Sequence, residues 1–189
     1  MSFSPKQLTI FRSWTSPPGK ELDGIICDGA VRSGKTMCMS LSFVMWAQTN
    51  FIGRSFAICG KTIASVRRNI IGTLTEMSKK AGFSVDECLS KNYLDISLGG
   101  VSNRFYIFGG RDESSAALIQ GMTLAGVLFD EAALMPRSFV EQAAARCSVS
   151  GSKLWFNCNP ESAYHWFKRE WVDKATEKRL MYVHFTLDD

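Results

Sequence analysis

One stretch limits what this chain can be more than any other: Gly29-Ala30-Val31-Arg32-Ser33-Gly34-Lys35-Thr36. It fits the pattern G-x-x-x-x-G-K-[ST] at every position. The run before it, Gly24-Ile25-Ile26-Cys27-Asp28, is short, apolar and β-branched, and reads as a buried strand. Residues 36–50 contain no Gly or Pro and are apolar almost all round, so they read as a buried helix. A strand-to-helix turn is where this motif works. Its glycines let the backbone curl so that several N–H groups face one phosphate chain. The helix N-terminus adds free N–H groups and the positive end of its dipole. Lys35 then reaches the β- and γ-phosphates, and the Thr36 hydroxyl ligates Mg²⁺. Without the flanking strand and helix this would be an ordinary Gly/Ser loop.

A second stretch answers the first. Gly126-Val127-Leu128-Phe129-Asp130-Glu131 is an apolar strand ending in two acids. Asp130 is the candidate to hold Mg²⁺ opposite Thr36. Glu131 points elsewhere and polarises a water for in-line attack on the γ-phosphate. A general base serving water favours hydrolysis over transfer to another acceptor. A third stretch, Phe156-Asn157-Cys158-Asn159-Pro160, puts a polar residue at the carboxyl end of the next strand, where an α/β sheet opens its ligand crevice. Either Asn157 or Asn159 is placed to sense the γ-phosphate or orient the water; an Asn-Pro turn explains the same letters. Gln7 has one amide donor and one acceptor, which match the edge of adenine, although a surface glutamine needs no explanation. Arg32, Arg67, Arg68, Arg111 and Arg146 are candidates to neutralise charge on the transferring phosphoryl, with Arg32 ahead because it lies in the loop.

The other letters predict an alternating architecture. A helix begins after Ser4-Pro5 and ends in a loop at Thr15-Ser16-Pro17-Pro18-Gly19. Strands follow at residues 56–59, 127–129, 154–156 and 180–185, and helices at 63–81, 138–146 and 162–174. Residues 93–98 and 103–108 flank Gly99-Gly100 as a hairpin. Strands alternating with helices give an α/β fold, a mostly parallel sheet with helices on both faces. A chain of 189 residues forms one domain, with residues 1–23 as an N-terminal segment before a core at 24–189. The net charge of +4 does not demand a nucleic-acid partner but permits one on a local patch. No apolar run is long enough for a transmembrane helix, and the N-terminus lacks the pattern of a signal peptide. The 6 cysteines show no C-x-x-C pair, so they read as reduced thiols, with Cys27, Cys59 and Cys158 buried in strands. His165 and His184 are too far apart for a metal site and read as structural. The chain stops at Leu187-Asp188-Asp189 directly after a strand, which points to a longer protein.

The motifs GAVRSGKT, VLFDEAALMP, WFNCNPES and HFTLDD, in this order and with Phe3-Ser4-Pro5-Lys6-Gln7 upstream, resemble the ATPase domain of the phage terminase large subunit. The resemblance runs from about Ser4 to Asp189. It implies a P-loop NTPase of the additional-strand, catalytic-glutamate type, with ATP and Mg²⁺ as cofactors. It also implies translocation of double-stranded DNA into a procapsid in the host cytoplasm. The implied partners are the portal, the small terminase subunit and further copies of the chain in a ring, with a monomer when isolated. By resemblance Gln7 belongs to the adenine motif, Lys35 and Thr36 to Walker A, Asp130 and Glu131 to Walker B, and Asn159 to the coupling motif. Lys35 and Arg32 join Glu131 as candidate catalytic residues, and Gly29 to Thr36 bind nucleotide. Many relatives carry the loop arginine one position earlier, where this chain has Val31. Some have Arg before a Gly ahead of the Walker B strand, where this chain has Gln120-Gly121. Full-length members continue into a nuclease domain whose acidic cluster is absent here, so the chain is expected not to cut DNA. Two other readings stay open: a helicase-like ATPase, and a slow nucleotide-gated assembly module.

Overall fold

A computed structural model describes residues 3–29, 33–159 and 162–186. Helix α1 (Pro5–Thr15) opens on Ser4, whose hydroxyl accepts from the backbone of Gln7 while the Gln7 amide accepts from the backbone of Ser4. This reciprocal cap satisfies two of the free N–H groups of the first turn. The segment after it is not the loop expected: Ser16 caps a further helical turn, α2 (Pro17–Lys20), because prolines at the first positions suit a helix start. Strand β1 (Gly24–Gly29) leads into the phosphate loop, and α3 (Lys35–Asn50) leaves it. After β2 (Ser55–Gly60) the chain forms α4 (Ile63–Val66), a π-helical turn at Arg67–Ile71, and α5 (Gly72–Lys80). The helix expected over 63–81 is therefore present but widened in its middle.

The expected hairpin is β4 (Tyr93–Leu98) and β5 (Val101–Gly109), preceded by strand β3 (Ser84–Cys88) within the stretch 83–108 that reads as β structure. Then come β6 (Gly126–Phe129), α6 (Arg137–Ala145), β7 (Lys153–Asn157) and β8 (Leu180–Phe185). The helix expected over 162–174 is reduced to a short helical start and a π-turn at Lys168–Val172. Among the described residues eight strands form one sheet in the order β3-β4-β5-β2-β6-β7-β1-β8. β3, β4 and β5 pair antiparallel, and every other pairing is parallel. Among the described residues no helix is long and apolar enough to cross a membrane.

Successive strand residues point to opposite faces, and this divides the core in two. Ile25, Cys27, Phe56, Ile58 and Trp155 pack beneath α1, α3 and α5. Ile26, Ala57, Cys59, Phe129 and Phe156 pack on the other face with Phe139 of α6 and with Trp171. Both faces are covered, so the central strands are apolar without alternation, as parallel strands require. The six cysteines are free thiols, with Cys27, Cys59 and Cys158 buried as expected.

Candidate nucleotide site

The parallel strands β1, β6 and β7 end at one edge of the sheet, and their last residues line a cavity of about 400 Å³. The loop enters this edge through Gly29, at φ 102°. A side chain there would meet the Phe185 carbonyl oxygen at 2.1 Å, so only glycine allows β1 to lie against β8 at this point. Gly34 caps α3 at φ 76°, in the left-handed region that glycine reaches without cost. The Lys35 ammonium then folds back and donates to the Gly29 carbonyl at 3.0 Å. Lys35 is buried, and that burial is the main force lowering its pKa, opposed by the nearby Cys27, Cys158, Asp28 and Asp130.

Thr36, Asp130 and Asn157 come from three elements far apart in the chain and meet through one amide. Asn157 Nδ2 donates to Thr36 Oγ1 at 2.8 Å and to Asp130 Oδ1 at 2.8 Å. Asp130 is 4% exposed, and desolvation raises its pKa, against the amides of Asn157 and Asn69 and the charge of Lys35, which lower it. The hydroxyl and carboxylate are hard oxygen donors, the kind Mg²⁺ takes when phosphates and water complete its shell. Glu131 follows at φ 53° and ψ 50°, a left-handed backbone unusual for a side chain of its size. With that kink Glu131 lines the same cavity as Asp130. Its pKa is raised by burial first and by Asp130 second, with Arg68 pulling it back.

The structure therefore brings together Gly29, Ser33, Gly34, Lys35, Thr36, Asp130, Glu131 and Asn159 around one cavity. Of the two asparagines, Asn157 is buried and bonded to the candidate metal ligands, whereas Asn159 stands exposed at the rim. Ala30, Val31 and Arg32 lie outside the described residues, as do Pro160 and 187–189. Gln7 reaches the loop with its amide engaged at both ends: Oε1 accepts from Ser4 N at 3.0 Å, and Nε2 donates to Ser33 O at 2.9 Å. It thus ties α1 to the phosphate loop.

The candidate arginines outside the loop have different surroundings. Arg67 is bound to Glu87 and to Asn92, and Arg68 sits close enough to Glu131 to lower its pKa. Arg146 is half-buried at the end of α6, and Arg111 is exposed. Two features of the site escaped sequence reading. Asn69 reaches Asp130, and a buried Asp28 accepts from the Tyr182 hydroxyl at 2.9 Å and lies 2.7 Å from His184 Nδ1. The Asp28 contacts bind the edge strand β8 to the entrance of the loop.

Strand β7 lies between the strand that feeds the phosphate loop and the strand that ends in Asp130-Glu131. That inserted strand, with the glutamate beside it, defines a P-loop NTPase of the additional-strand, catalytic-glutamate class. Within this class the chain belongs to the terminase large subunit family: the model for its N-terminal part, of T4likevirus type, matches residues 26–188. Its structure superposes on the large terminase of a thermophilic bacteriophage with a TM-score of 0.96 and 55% identity, over 100% of this chain and 47% of that one. The same terminase has been solved with ADP, where the match is 54% identical at a TM-score of 0.95, covering 100% of this chain and 46% of that one. The large terminase ATPase domain of Thermus phage P74-26 shares the fold at 16% identity and a TM-score of 0.70, over 96% of this chain and 80% of that one. The chain spans about half the length of the large terminases it matches. None of the curated proteins matches it.

Proposed function

We propose that this chain is the ATP-hydrolysing motor domain of a terminase large subunit and drives double-stranded DNA into a procapsid. The observation that carries the reading is the single Asn157 amide gripping both Thr36 and Asp130, beside Lys35 and Glu131, at the carboxyl edge of a parallel sheet. The solved relative that binds ADP, and its complex with ATP-γ-S at 52% identity, support the same ligand here.

Each residue has a distinct part. The free N–H groups at the start of α3 and the Lys35 ammonium neutralise the phosphate chain as negative charge gathers in the transition state. Thr36 and Asp130 would hold Mg²⁺, which when bound neutralises and orients the β- and γ-phosphates. Glu131 accepts the proton of the attacking water. The water oxygen bonds to the γ-phosphorus, the bond to the β-γ bridging oxygen breaks, and the proton leaves Glu131 for solvent. The Gln7 amide keeps one N–H and one lone pair beyond its bonds to Ser33 and Ser4, the donor and acceptor that reading adenine requires. Arg32, within the loop motif, is a further candidate to neutralise charge on the phosphates, and Asn159 stands at the rim, where a coupling residue would meet the γ-phosphate.

Turnover of ATP by the purified chain, alone and with DNA and procapsids, tests this reading. A motor domain accelerates when both are present. A helicase-like enzyme responds to DNA without procapsid, and a slow assembly module binds ATP with no acceleration by either. Either of the latter results would overturn the proposal.

A further inference from the structure

The helix after β2 is regular over Ile63–Val66 and Gly72–Lys80 but widens to a π-turn at Arg67–Ile71. Such a turn takes up an extra residue, and isolated ones gather at functional sites. Here Ile70 and Ile71 are buried, and the polar residues Arg67 and Asn69 of the same turn leave in different directions. Arg67 turns towards β3 and β4, to Glu87 and Asn92. Asn69 turns the other way and lines the phosphate cavity, with its Nδ2 3.5 Å from Asp130 Oδ2. Arg68 Nε donates to Asn69 Oδ1 at 3.3 Å, which leaves the amide nitrogen for the carboxylate. The other carboxylate oxygen is held by Asn157 at 2.8 Å.

We propose that Asn69 is a positioning residue for Asp130: with Asn157 it grips the carboxylate by both oxygens and presets the plane in which Asp130 meets a divalent cation. The proposal rests on the reading of Asp130 as a Mg²⁺ ligand. A carboxylate held by one oxygen keeps a rotation that must be frozen when the cation binds; held by two, that freedom is already gone. The 3.5 Å contact is at the long limit of hydrogen bonding, so the effect is modest.

The test uses the whole chain and a fluorescent ADP, with binding followed as Mg²⁺ is titrated and again in EDTA. Asn69→Ala is expected to raise the Mg²⁺ midpoint about threefold to tenfold, the range of one ordinary hydrogen bond. Affinity in EDTA and the melting temperature should stay at the parent values, because Asn69 is exposed and outside the core. Asn69→Gln keeps a donor and should restore part of the midpoint. A Mg²⁺ midpoint unchanged in Asn69→Ala overturns the proposal, and so does an equal loss of affinity in EDTA, which would mean that Asn69 supports the pocket as a whole. If the parent chain binds ADP with no dependence on Mg²⁺, the reading of Asp130 falls with it.

Discussion

Glu131 is the residue proposed here as the general base, and its backbone bears on how two neighbouring acids come to share one site. A regular strand would send Asp130 and Glu131 to opposite faces of the sheet. The left-handed turn at φ 53° instead delivers both to one cavity, at a backbone cost of order 1 kcal/mol. Glu131→Gln should lower ATP turnover roughly 10²–10⁴-fold while nucleotide still binds, because the amide cannot take the water's proton. Turnover at the parent rate would refute that role. Lys35→Ala should abolish turnover and weaken binding together, since the ammonium faces the phosphates in ground and transition states alike. Thr36→Ala and Asp130→Ala should each flatten the response of turnover to added Mg²⁺, because their oxygens share one site through Asn157. A Mg²⁺ titration unmoved by either variant would count against a shared ion.

At the scale of elements, the loop is only as firm as the segments fastened to it. α1 reaches it through Gln7, and α2 is held from below by Lys153, the first residue of β7. The buried Lys153 ammonium donates to the carbonyls of Gly19 at 3.3 Å and Lys20 at 3.1 Å, and also to Leu22. It closes the C-terminal end of α2, where a helix leaves carbonyls without partners. Lys153→Met keeps the length but removes every donor, so the folded state should lose about 1–3 kcal/mol. Thermal unfolding measures this, and a melting temperature equal to the parent's would show that the bonds contribute nothing. α3 meets the sheet just as tightly: a methyl group at Gly126 would lie 2.7 Å from the Trp46 ring. Gly126→Ala should therefore also melt earlier.

At the scale of the whole molecule, the proposed packaging role favours an enzyme that hydrolyses only when its subunits sit together on DNA. Charge supplied by an arginine from a neighbouring subunit would do this, and in other phosphate-loop enzymes it contributes on the order of 10³–10⁵ in rate. A residue acting in trans must be accessible before assembly. Arg111 is exposed, whereas Arg67 is tied to Glu87 and Asn92 and Arg68 already stands beside Glu131 of its own chain. Assembled motors containing Glu131→Gln and Arg111→Ala subunits together should recover part of the turnover that each lacks alone. Mixtures with Arg67→Ala in place of Arg111→Ala should not. If no mixture recovers and the isolated chain is already fast, the charge comes from within the subunit, and Arg32 is the residue to test.

The motifs were legible in the letters because their chemistry is local. A phosphate loop needs its glycines, lysine and threonine within one turn, so Gly29, Gly34, Lys35 and Thr36 declare themselves by spacing, and the apolar run ending in Asp130-Glu131 does the same. The parallel sheet was legible from the alternation of β-branched runs with helical ones. The partners were not. Asn157 meets Thr36 across 121 positions and Asp130 across 27, and no spacing rule connects them. Asn69 is one polar letter among several, and only the π-turn sends it to Asp130 rather than to solvent. Asp28 and His184 meet because β1 and β8 are neighbours in the sheet, although 156 positions separate them. The two arginines on the π-turn look equivalent as letters, and the widened helix sends one to Glu87 and the other to Asn69, within electrostatic reach of Glu131. Local sequence determines which groups exist and which backbone they ride on. Long-range strand pairing and the breaks in helical register decide which of them meet.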